Sequence, residues 1–141
     1  MKKILTYNIE MLKVEVMVCV GVGFNEMQKF INKKAKKEVK ELYENPDFKK
    51  DIEDLTNGSN AGFVGMKNLK DINYYYVWLK SWENTWYCLN ILNHEIVHLR
   101  QAIFARGGIE NETEFEAYFQ ETVFNGIRQA LNKACTKNKK K

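Results

Sequence analysis

At 141 residues, 45% hydrophobic and 13% aromatic, the chain has the length for one globular domain and the apolar content to fill its core. It contains no run of about 18 apolar residues, which argues against a membrane-spanning helix, and Met1–Leu12 lacks the long apolar stretch and cleavage site of a signal peptide. The net charge of +4 comes from 19 Lys and 3 Arg against 18 acids, gathered at Lys29–Lys40 and Lys137–Lys141. Without arginine and aromatics interleaved, it reads as a solvated helix face and tail rather than a nucleic-acid surface.

Three cysteines, Cys19, Cys88 and Cys135, form an odd set with no C-x-x-C spacing. That argues against a disulfide scaffold and for a reducing, cytoplasmic setting, with Cys19 and Cys88 packing in apolar surroundings.

Lys2–Asn8 and Leu12–Phe24 read as strands. In the second, Val14, Val16, Val18 and Val20 alternate with Glu15, Met17, Cys19 and Gly21, the period of a pleated strand. Asn25 is a candidate cap for a helix over Glu26–Glu44, whose core stripe is Met27, Phe30, Ile31, Val39 and Leu42. The one proline, Pro46, stops it. Asp47–Asn60 is polar and turn-rich and reads as a loop with at most a short helical turn. Ala61–Lys67 and Ile72–Lys80 are two strands joined by a turn at Asn68–Asp71. In the second, Tyr74, Tyr76 and Trp78 share one face, and Tyr75, Val77 and Leu79 share the other. Such an aromatic strand is more often core than binding site.

Next comes Asn93-His94-Glu95-Ile96-Val97-His98-Leu99, an H-E-x-x-H run that holds both histidines of the chain. Random placement of two histidines gives this spacing in about 1 chain in 70, so accident is the weaker reading. On a helix the two imidazoles sit one turn apart on one face, close enough to share a metal ion. Glu95, about 100° around the helix, stands beside the metal, where a carboxylate can take a proton from a metal-activated water. Leu92, Ile96, Leu99 and Ile103 form the opposite, buried face, while Tyr87, Asn90, Ile91, Gln101, Ala102 and Ala105 give the histidine side a mixed surface suited to a cleft. Ser81–Asn84 and the following threonine supply capping residues, and Gly107-Gly108 ends the helix.

Two histidines and a water leave tetrahedral zinc one ligand short. After Gly108 come four glutamates in seven positions, Glu110, Glu112, Glu114 and Glu116, at the start of a helix over Glu112–Lys133 with Phe115, Phe119, Val123 and Ile127 as its core stripe. Helix-start charge accounts for glutamates here. Ligation is also feasible, because an extended Ile109–Thr113 can bring the chain back to the metal. Spacing alone admits Glu112, Glu114 or Glu116.

H-E-I-V-H followed by E-F-E-A-Y resembles the gluzincin pattern H-E-x-x-H … E-x-x-A-[DNY], and is similar to small metallopeptidase-like proteins of tailed phages and prophages. The resemblance covers residues 94–118. It implies Glu114 as the third ligand of a single Zn2+, after His94 and His98. Tyr118 stands where many gluzincins have an aspartate that orients a zinc-bound histidine, so Glu121 or a backbone carbonyl would have to supply that acceptor. One turn after Glu114, Tyr118 could instead offer its hydroxyl to an oxyanion.

The expected fold is therefore α+β and zincin-like: a small mixed or antiparallel sheet of three to four strands, an N-terminal helix, the motif helix and a C-terminal helix. Residues 1–134 would form the domain and 135–141 a basic disordered tail. The expected function is zinc-dependent hydrolysis of a peptide or protein substrate, with Glu95 as general base and the substrate adding to a sheet edge formed by Ala61–Lys67 or Ile72–Lys80. The competing expectation is a non-catalytic zincin-shaped protein, such as a phage morphogenesis or interaction component.

Overall fold

Alternation of β-branched and aromatic residues builds a four-stranded mixed sheet from β1 (Lys3–Ile9), β2 (Val14–Val20), β3 (Gly62–Leu69) and β4 (Ile72–Leu79), in the order β1-β2-β4-β3. The computed structural model describes residues 1–34, 46–69, 72–109 and 113–136. A 3-10 turn at Glu10–Leu12, closed by Lys13 in the left-handed conformation (φ 52°), joins β1 to β2 as an antiparallel pair. Strands β2 and β4 run parallel, with Val18 opposite Val77, and β3 pairs antiparallel with β4, with Gly62 opposite Leu79.

Each face of the sheet carries two helices. On one side α1 (Phe24–Lys34) and α2 (Pro46–Asn57) supply Met27, Ile31 and Ile52, which pack on Cys19, Tyr76 and Trp78. On the other, α3 (Trp86–Gly107) and α4 (Thr113–Thr136) supply Leu92, Ile96, Leu99, Phe119, Val123 and Ile127, which pack on Val16, Val18, Val77 and Leu79. The period-2 split of β2 and β4 thus gives each face its own core, as the alternation predicts. Tyr75, Tyr76 and Trp78 are all buried, so this strand is core. The Trp78 indole N–H, stranded in an apolar layer, donates to the Val22 carbonyl at 2.8 Å.

Three expectations are corrected. First, α1 begins earlier than the Asn25 cap implies. The Gly23 carbonyl accepts from Met27 N–H, and the Glu26 carboxylate accepts from Gly23 N–H at 2.9 Å, so Glu26 reaches back to cap the first turn. The rest of the expected helix, residues 35–44, lies outside the described residues. Second, Asp47–Asn57 is not a loop. Pro46 opens α2 instead of only ending what precedes it, in keeping with the proline preference for first helical turns, and Ile52 is fully buried beneath it. Third, Cys135 and Thr136 belong to α4 rather than to a tail, and Cys135 is buried against the core. Residues 137–141 lie outside the described set.

All three cysteines are free thiols. Among the described residues, no helix is long and apolar enough to cross a membrane.

Candidate metal centre

Helix α3 carries the H-E-x-x-H run at its middle. Thr85 caps its start, the side chain accepting from Cys88 N–H, and Gly108 ends it in the left-handed conformation (φ 63°), its N–H returned to the Phe104 carbonyl. Leu92, Ile96 and Leu99 are fully buried and Ile103 is nearly so, which fixes the rotation of the helix on the sheet. His94 and His98 therefore face outward together.

Their Nε2 atoms lie 3.1 Å apart. Two nitrogens bound to one tetrahedral zinc at about 2.0–2.1 Å each would be about 3.3–3.4 Å apart, so the pair needs only a small adjustment to share an ion. His98 Nδ1 lies 3.2 Å from Gln101 Oε1. An amide oxygen only accepts, so Nδ1 must donate, and the His98 lone pair is left on Nε2, the atom aimed at His94. Either an N–H on His94 Nε2, donated to His98 Nε2, or a cation between the two satisfies the pair. The acceptor beside His98 Nδ1 is thus Gln101, from the same helix.

Glu95 is the one buried charged residue among those described, 5% exposed. Burial pushes its carboxyl above the ordinary range, while His94 and His98 draw it back down. The carboxylate lies against β3 at Gly62: a Cβ there would stand 3.0 Å from Glu95 Cγ, 3.0 Å from Ile91 Cγ2 and 3.2 Å from Glu95 Oε1. Only a bare backbone fits comfortably at that distance. Between β3 and α3 opens a cleft of about 390 Å³, lined by Gly62–Met66 on one wall and His94, Glu95, His98 and Ala102 on the other. Strand β3 is an edge of the sheet, and among the described residues no strand pairs with its outer side; β4 is interior. Of the two strands expected to offer an open edge, Ala61–Lys67 is the one.

Helix α4 packs beside α3 through Phe104, which stacks on Phe115 at 5.4 Å and meets Phe119 edge-on at 5.3 Å. Further along, Gln120 Nε2 donates to the Asn93 carbonyl at 3.1 Å and to its side-chain oxygen at 2.9 Å, next to His94. Glu116, one turn before Gln120, shares that side of α4 and is partly buried. Glu114 is about 160° around α4 from Glu116 and exposed, and Tyr118 is 59% exposed. Neither lines the cleft. Among the described residues no three His, Cys, Asp or Glu side chains converge to hold an ion. Glu110 and Glu112 lie outside the described residues.

The structure thus brings together His94, Glu95 and His98 and leaves Glu114 and Tyr118 apart from them. Gln101 and the bare backbone at Gly62 are additions. Their signals were present in the sequence: a glutamine three residues after a histidine on a helix, and a glycine inside a strand pattern, which often marks close approach. Comparison of the chain with protein-family models, with curated proteins and with solved structures found no match.

Proposed function

We propose that this chain is a zincin-like, zinc-dependent metallopeptidase, with His94 and His98 as metal ligands and Glu95 as general base. The observation that carries the reading is the convergence of the two Nε2 atoms, 3.1 Å apart, beside a buried carboxylate in a cleft walled by an open strand edge. Zinc bound there would lower the pKa of a water toward about 7 and polarise a peptide carbonyl. Glu95 takes the proton of the attacking water on a carboxylate oxygen and hands it to the leaving amine. Burial suits it to the first half of that task, since a carboxylate raised above its ordinary range is a stronger base. The free edge of β3 offers backbone N–H and C=O groups to an extended peptide, fixing the scissile bond alongside Glu95.

The third ligand in this reading is a carboxylate from the start of α4. The gluzincin resemblance favours Glu114, and Tyr118 with it as a candidate for the oxyanion. The Gln120–Asn93 contact favours Glu116, which lies on the side of α4 turned to α3.

Zinc stoichiometry by plasma mass spectrometry, measured for the parent and for Glu114→Ala and Glu116→Ala, separates the two, and hydrolysis of unfolded casein tests the activity. One zinc per chain and cleavage abolished by Glu95→Gln are the expected results. The competing reading is a non-catalytic zincin-shaped binding protein. Zinc bound without cleavage, or no zinc at all, would select it.

A further inference from the structure

The two walls of the cleft differ in chemistry along their length. Near Gly62 the cleft is polar, bounded by Glu95 and the two imidazoles. Towards Met66 it is apolar. Gly62, Val64 and Met66 alternate onto the α3 side of β3, opposite Leu79, Val77 and Tyr75, and the partly buried Val64 and Met66 line the cleft together with Ala102, one turn beyond His98. Among the described residues no lysine, arginine or aspartate lines the cleft, and Glu95 is the acidic residue that does. Ala102 matters most by its size: a larger residue at that position of α3 would fill the space between the helix and Met66.

We infer that the cleft selects a peptide residue with an uncharged, medium-sized apolar side chain, which packs on Val64, Met66 and Ala102. The inference rests on the peptidase reading for its backbone geometry, because a strand added to β3 turns alternate side chains toward α3, into this space. A charged side chain placed there would lose water and gain no partner, and an acidic one would also meet Glu95. A glycine would leave Val64 and Met66 uncovered. A volume of about 390 Å³, shared with the polar end, suits one side chain and its flanking backbone rather than a folded surface.

The test is a mixed-sequence decapeptide library incubated with the zinc-loaded protein, the products being sequenced by mass spectrometry. Cuts should cluster beside Leu, Ile, Met or Phe, about tenfold or more over Asp, Lys and Gly at the same position. Ala102→Leu should shift the preference toward Gly and Ala with zinc content unchanged. Should that variant fold poorly, Met66→Lys should draw acidic residues instead. Cuts made without regard to the neighbouring residue would overturn the pocket and leave the peptidase reading standing. Separately, the zinc-loaded Glu95→Gln protein, immobilised, should retain Leu-bearing peptides over their Asp-bearing counterparts. Retention of that kind with no cleavage by the parent would keep the pocket and overturn the peptidase reading. Neither cleavage nor selective retention would overturn both.

Discussion

Glu95 and Gly62 act as a pair: a buried carboxylate, and the missing side chain that leaves it room. Glu95→Gln should keep zinc and lose about 10²–10⁴-fold in turnover, since general-base catalysis contributes on that scale. It should also leave the metal-free protein as stable as the parent or more so in thermal denaturation, because the amide buries no charge. A fall in melting temperature with full activity would show that Glu95 is a structural residue. Gly62→Ala forces Glu95 or Ile91 to move by a few tenths of an ångström; the expected result is reduced kcat at unchanged zinc content. Gln101→Ala removes the acceptor that holds the His98 ring and should weaken zinc binding about 10–100-fold in competition with a chelator.

At the scale of elements, α1 depends on Glu26, whose carboxylate binds Gly23 N–H and pairs with Lys2. The Lys2 hydrogen bond is the largest of the causes that hold its carboxyl at about 2, below the ordinary 4.5. A carboxylate lowered on folding stabilises the fold above its unfolded pKa, and that contribution fades as pH falls from about 4.5 to about 2. Chemical denaturation across this window should show a steeper loss of stability for the parent than for Glu26→Gln. At the start of α3, Thr85→Ala removes the cap and should cost about 0.5 kcal/mol in the same assay, the low end of the usual range, because the bond is 3.4 Å long.

The elements were legible where periodicity was strong. The valines of β2, the aromatic alternation of β4 and the Leu92–Ile103 stripe of α3 each state one period over a long enough stretch to fix face as well as type. Helix α2 was not legible. Its apolar residues fall at 48, 52 and 55, a helical spacing, but three among eight polar residues look like a loop when Thr56-Asn57-Gly58 follows. The site was half legible for a similar reason. A four-residue spacing within one helix announces His94 and His98, whereas the side of α4 that meets α3 depends on how two helices cross, which no local pattern encodes. Nor does any local pattern say that β3 is an edge while β4 is interior, because that follows from the parallel pairing of β2 with a strand more than 50 residues away.

Across the whole molecule, stability and site share α3. Its inner face joins the sheet to α4 through Leu92, Ile96, Leu99 and Phe104, and its outer face holds the histidines. Phe119, fully buried where α4 meets this layer, is the residue whose truncation tests that sharing. Phe119→Ala should cost about 3–5 kcal/mol. Excess zinc should restore part of the loss, by about 2.7 kcal/mol at a hundred times the dissociation constant, if the metal binds only the folded chain.

Every residue lining the cleft falls between Gly62 and Ala102, on a hairpin strand and the helix that follows it. The cleft is therefore encoded in one uninterrupted stretch of sequence, while the carboxylate that the proposed reading adds as third ligand comes from α4, beyond it. A recombination joint in the loop before β3 and another just past Gly108 would carry the cleft whole into a new setting, with the third ligand left to whichever helix came to follow it. The other layers can then diverge in sequence while that one segment keeps the shape of the cleft.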